Sequence, residues 1–159
     1  MIMKSKNPYY VSELAVYQFL YVFELTAPVF YRVKRGYLKN EADKAAFLHF
    51  EEAENPHSPV IKEFLKQYNK GVFPWPGLVE TVAAAFSHLI ARFGEKAMYA
   101  FEYHFETKAV NTYTNLANCT DDEKLRQLSV QLREEEVPHL EFFKKKLGKV
   151  EPLPQLKNI

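Results

Sequence analysis

Cysteine, glycine and unbalanced charge are what this chain has little of. A single cysteine, Cys119, among 159 residues leaves no partner for an internal disulfide and no cysteine pairs for a thiolate metal module. Five glycines leave few places where hairpin turns could form, which argues against a sheet-rich fold. Basic and acidic side chains number 21 and 20 and are spread along the chain, so the net charge of +1 provides no basic face for a nucleic acid backbone. Long hydrophobic runs are also missing: Leu14 to Phe23 is bracketed by Glu13 and Glu24 and falls short of the roughly 20 residues of a membrane span. Residues 1–12, with Lys4, Lys6 and Pro8, hold no apolar stretch of a signal peptide. The expectation is one domain over 1–159, cytoplasmic, one face of which could touch a membrane.

What is present is helical. Ser12 is placed to cap a helix from Glu13 to about Arg35, stopped by Gly36, with Val16, Phe19, Phe23, Ala27 and Phe30 at helical spacing. Asn40 or Asp43 opens a second helix running to about Tyr68, punctuated by Pro56 and Pro59. Gly71 to Gly77, with Pro74, Trp75 and Pro76, predicts a rigid connection. A short helix from about Leu78 to Arg92, a long one from Gly94 to about Asn118, and a last one from Asp121 or Asp122 to about Leu147 complete the expectation.

The chain repeats itself. A shift of 82 residues lays Ser12 to Tyr31 over Gly94 to Tyr113 with nine of twenty positions identical, among them Glu24 with Glu106 and Tyr31 with Tyr113. The same shift carries Glu54, Pro56 and His57 onto Glu136, Pro138 and His139. Two helical hairpins (about 12–69 and 94–147) joined by the Pro74 to Phe93 crossover predict an antiparallel four-helix bundle with a pseudo-twofold axis, its core spanning about 12–147.

The polar residues that repeat have a chemical reading. Glutamate and histidine three apart on a helix point the same way. Glu24 and Glu106 lie in otherwise aromatic helix faces, where an unpaired carboxylate would cost several kcal/mol. Four carboxylates facing one another call for cations. One glutamate from each of two helices plus Glu-x-x-His from each of the other two is the ligand set of di-iron and di-manganese carboxylate bundles. Oxygen and imidazole donors suit iron or manganese better than a thiolate-seeking metal. The bland reading of one Glu-x-x-His is a solvated surface pair; two in register with two further glutamates point to metal.

Glu24 to Tyr31 (Glu-Leu-Thr-Ala-Pro-Val-Phe-Tyr), His49 to His57, Gly94 to Tyr113 and Arg133-Glu134-Glu135-Glu136-Val137-Pro138-His139 resemble the demethoxyubiquinone hydroxylases of ubiquinone biosynthesis, within the ferritin-like superfamily. The resemblance covers about 12–147. It implies a ferritin-like fold and two iron ions held by Glu24, Glu54, His57, Glu106, Glu136 and His139, with Glu54 and Glu136 bridging. It also implies a monooxygenase activating dioxygen toward a quinone-like or other apolar aromatic substrate, with an external electron donor. The alternative is a rubrerythrin- or ferritin-like protein that oxidises iron or reduces peroxide. A closed, purely structural metal pair is a third reading. Peripheral membrane contact and a homodimer stay open.

Other residues carry expectations of their own. Tyr31 and Tyr113, two turns after a glutamate, could hydrogen-bond a ligand or relay electrons, or could be core residues. Glu102, one turn before Glu106, breaks the repeat because its counterpart is Leu20; it is a seventh carboxylate or a surface residue. Glu51, Glu52, Glu134 and Glu135 are candidates to orient the histidines through their second ring nitrogens. His49, His88 and His104 have no repeat partner and are not expected to be ligands. Pro56 and Pro138 each predict a kink beside the metal.

Overall fold

The structure is a computed structural model that describes residues 10–157; Lys4, Lys6 and Pro8 of the amino-terminal segment lie outside the described residues. It is all-helical: α1 (Tyr10–Arg35), α2 (Glu41–Glu54), α3 (His57–Gln67), α4 (Pro76–Ala91), α5 (Glu95–Cys119) and α6 (Glu123–Leu147). α1 packs on α2 and α3 as one hairpin, α5 packs on α6 as the other, and α4 lies in the crossover against α1 and α5.

Local chemistry sets most of the boundaries. Asn40 opens α2, its side chain accepting from the Ala42 and Asp43 amides, and Asp122 does the same for Lys124 and Leu125 at the start of α6. α6 ends at Gly148, whose φ of 65° is the left-handed conformation that glycine adopts without steric cost. α4 begins on Pro76, where a missing N–H costs nothing. Ser12 is not a cap, because α1 is already helical at Tyr10.

The two prolines behave differently. Asn55 and Pro56 interrupt the second arm between its two candidate ligands, ending α2 at Glu54 and restarting at His57. α6 instead stays helical through Pro138, so the helix is interrupted in one half only. Pro138 is exposed, and the carbonyl it leaves without an amide belongs to exposed Glu134, where water can serve it.

Two apolar clusters sandwich a polar middle. One holds Tyr17, Leu20, Ile61, Leu65, Leu116, Leu125 and Leu132. The other holds Tyr31, Phe47, Phe50, Met98, Tyr99 and Phe143. Along α1, α5, α6 and the α2–α3 arm the candidate ligands fall between residues of the two clusters, which places them at mid-bundle with apolar packing on either side. α1 and α5 meet through Phe23 and Phe105, stacked at 3.7 Å and related to each other by the repeat, so the stack marks the pseudo-axis. The stretch Glu13–Arg35 is long and apolar enough by composition to cross a membrane, but 56% of its window is buried in the bundle, as a core helix would be.

Replacing Asn40 by alanine removes two side-chain hydrogen bonds to otherwise unserved amides and should cost about 1 kcal/mol. A urea unfolding midpoint unchanged in Asn40→Ala would show that α2 does not need this cap.

Candidate metal centre

All six residues singled out by the repeat converge. Glu24 (α1), Glu54 (α2), His57 (α3) and Glu136 (α6) form one group; Glu54, Glu106 (α5), Glu136 and His139 (α6) form a second; within each, one ligand atom per residue lies within 4.8 Å of the others. Every member is buried.

Glu54 and Glu136 belong to both groups, and the atoms show how. Glu54 directs Oε2 to His57 Nδ1 at 3.0 Å and Oε1 to His139 Nδ1 at 2.9 Å. Glu136 directs Oε1 to His57 at 3.1 Å and Oε2 to His139 at 3.3 Å. Each carboxylate therefore spans the two halves. Glu24 and Glu106 serve one side each, Glu24 Oε2 lying 3.3 Å from His57 Nδ1 and Glu106 Oε2 4.0 Å from His139 Nδ1.

The tyrosines cross over. Tyr31 on α1 donates its hydroxyl to Glu106 Oε1 on α5, and Tyr113 on α5 donates to Glu24 Oε1 on α1. Each terminal glutamate thus has one oxygen fixed by the opposite helix and the other free to face inward. Burial pushes both hydroxyls well above their usual ionisation range, and the adjacent carboxylates add to it, so both remain donors. Of the candidates to orient the histidines, Glu135 does so: it receives His57 Nε2 at 2.9 Å. Glu134 pairs with Arg133 and Glu51 with Arg35. Among the described residues no carboxylate is hydrogen-bonded behind His139, which packs on Phe50, ring centroids 4.4 Å apart.

These residues fit a pair of cations. Glu54 Oε1 and Oε2, Glu106 Oε2, Glu136 Oε1 and His139 Nδ1 are buried with no well-aligned hydrogen bond, meeting only the ion-pair contacts among the carboxylates and imidazoles of the two groups. Buried polar atoms left this way are costly unless something binds them. The donor set, carboxylate oxygen and imidazole nitrogen without thiolate, suits iron or manganese.

The family model described as Ubiquinone biosynthesis protein COQ7 matches residues 21–158. The chain belongs to that family. No curated protein and no solved structure matches it.

Within this COQ7-family chain, burial removes one of the two readings of Glu102. It is fully buried, so it is no surface residue, yet it joins neither group and pairs instead with Lys34, which is also fully buried. Lys34 was missed by reading motifs, but the shift of 82 flags it: its counterpart is Leu116, so charge replaces an apolar residue there as it does at Glu102. His49 and His88 lie outside both groups, His88 meeting Tyr37 at 2.9 Å.

With protons in place of metal, the centre has a definite pH dependence. Burial opposes charging of His139, but Glu136 and Glu54 outweigh it and raise its pKa from 6.5 to about 9; His57 is raised further by Glu136, Glu24 and Glu54. Burial, then Glu136, raises Glu24 and Glu106. Every one of these groups binds protons more tightly in the fold than when unfolded, so the stability it contributes is present at low pH and is lost as pH rises. Chelator-treated protein should therefore lose stability between pH 6.5 and pH 9, and added divalent metal should remove the loss. Equal thermal midpoints at the two pH values without metal would contradict this charge arrangement.

Proposed function

We propose that this chain is a hydroxylase of ubiquinone biosynthesis whose centre would hold two iron ions through Glu24, Glu54, His57, Glu106, Glu136 and His139, with Glu54 and Glu136 belonging to both four-residue groups. The observation that carries the reading is the sharing of those two carboxylates between groups built around His57 and His139. Two iron ions there would supply the redox and Lewis-acid chemistry that activates dioxygen toward an aromatic ring.

The chain's own residues do the rest. Tyr31 and Tyr113 fix one oxygen of Glu106 and Glu24 and leave the other to bind. Glu135 sets the tautomer of His57 that presents Nδ1 inward. Phe50, Phe143 and Tyr31 around His139, with Leu20, Leu132 and Tyr17 beyond the other side, keep bulk water from the centre.

A quinone ring would approach between α1 and α5. A cleft of about 160 Å³ opens there, lined by Phe19, Leu20, Phe23, Lys108, Ala109 and Thr112. Phe23 and Ala109 of its lining lie within three residues of Glu24 and Glu106 along α1 and α5, so the cleft opens at the level of the centre. Ligand pockets are usually about 300–1,000 Å³, so the cleft would have to widen to take a substituted ring. A larger trough of about 610 Å³, lined by Glu123, Arg126, Val130 and Leu156, is formed by α6 and the carboxyl-terminal tail and includes no member of the centre.

Leu78, Val82, Phe86, Leu89 and Phe93 recur at helical spacing along α4 and its end, all exposed, with Trp75 and Phe19. Such a stripe suits the interface of a bilayer, where a quinone with an apolar tail would be found. Electrons would come from an external reductase or a reduced quinol.

The alternative of peroxide reduction loses support at Glu102, since its carboxylate is engaged by Lys34.

The test is anaerobic ferrous titration followed by oxygen and a demethoxylated quinone. Two irons per chain and a hydroxylated ring are expected. Glu54→Ala should hold less than one iron per chain, because both groups lose the same bridge. Full iron content in Glu54→Ala would refute the shared-ligand geometry, and two irons with turnover of peroxide but not quinone would move the chain to the rubrerythrin-like class.

A further inference from the structure

The repeat supplies an internal comparison. At the positions related by 82 residues, one half has Lys34 and Glu102 and the other has Leu116 and Leu20. Leu20 and Leu116 are buried in one apolar cluster, so the bundle can fill this place without charge. A buried ion pair rarely stabilises more than a well-packed apolar pair of similar volume, so stability alone does not account for Lys34 and Glu102.

Their surroundings suggest what does. Lys34 Nζ donates to Glu102 Oε1 and lies over two ring faces, 3.8 Å from the centroid of Phe101 and 4.6 Å from that of Phe30. Glu102 Oε2 is buried without a partner. Glu102 and Glu106 are one turn apart on the same face of α5, an axial rise of about 6 Å. An unengaged oxygen therefore stands one helical turn from Glu106, a member of the His139 group, on a side chain whose other oxygen is tied to an ammonium.

We propose that Lys34 is a positioning residue that withholds Glu102 from the His139-side metal, keeping that position at the same ligand count as its His57-side twin. The inference rests on the metal reading given above. For Glu102 to reach the metal, it must leave Lys34 charged and buried between two phenyl rings with no anion. That cost holds the carboxylate back. Removing the lysine reverses the balance: Glu102 becomes a buried carboxylate with no cation except the metal.

The experiment compares wild type, Lys34→Leu and the double variant Lys34→Leu/Glu102→Leu, which installs in this half the apolar pair the other half already has. The probe is Co(II), titrated against a competing chelator, with its visible absorption recorded. In Lys34→Leu one of the two Co(II) equivalents should bind at least tenfold more tightly, with weaker visible bands as an oxygen ligand is added. The double variant should return to wild-type affinity and spectrum. Indistinguishable binding and spectra for the single and double variants would overturn the proposal. Should Lys34→Leu fold only with metal, the Co(II)-induced rise in Tm replaces the titration: a larger rise than in the double variant supports the restraint, and an equal rise overturns it. Wild type binding no pair of Co(II) ions would fail differently, removing the metal reading itself.

Discussion

Four carboxylates buried at the middle of a helical bundle are the constraint on which the rest depends. Glu24, Glu54, Glu106 and Glu136 come from four separate elements and meet around two imidazoles. Left to themselves they would repel and pull in water, and the bundle would open at its waist. The apolar clusters above and below resist this, because each buried aliphatic or aromatic side chain contributes about 1.5–3 kcal/mol. The histidines, drawn toward their charged form by the glutamates around them, offset part of the repulsion. Polar atoms nevertheless remain without well-aligned hydrogen bonds. What is unsatisfied in the fold is thus concentrated where two cations fit.

The exchange of tyrosines across α1 and α5 follows from the same constraint. A carboxylate facing a cation should have its second oxygen occupied, or it will rotate and chelate in several ways. Each terminal glutamate is steadied by the tyrosine of the other repeat, so the helices must keep their register for either ligand to stay aimed. The stacked Phe23 and Phe105 maintain that register on the pseudo-axis. Packing and ligand geometry are in this sense one arrangement.

Much of this was legible in the sequence, because duplication prints each functional residue twice. Glu24 with Glu106 and Glu54/His57 with Glu136/His139 stood out for being polar and repeated, and the structure brings all six together. The helices were readable to within a few residues from candidate caps, among which the structure selects Asn40 over Asp43 and Asp122 over Asp121. What escaped was whatever the repeat does not duplicate. Glu135 could not be chosen over three acidic neighbours, since the choice depends on which side of α6 faces His57, and its counterpart, Ala53, carries no polar group. Pro138 has the spacing of Pro56, yet only Pro56 ends a helix, because the outcome turns on what surrounds each ring. Lys34 has no motif at all; only a partner 68 residues away in sequence gives it meaning.

Duplicated halves start equivalent, so each departure from symmetry near the centre distinguishes one four-residue group from the other. Three departures cluster there. His57 is backed by a carboxylate and His139 by a phenyl ring. The arm bearing Glu54 and His57 is broken between them, whereas the one bearing Glu136 and His139 is continuous. The charged pair Lys34–Glu102 stands on the side of the second group alone. A carboxylate behind a histidine raises its basicity and strengthens its bond to metal, and a ring does not. Glu54 and His57 come from two helices separated by Asn55 and Pro56, whereas Glu136 and His139 share one continuous turn. The His57 side therefore combines a carboxylate-backed histidine with an interrupted backbone, while the His139 side has a continuous helix and a further buried carboxylate, Glu102, one turn from Glu106. Two metals bound here would meet different surroundings, and that difference arises from local departures within a duplicated frame.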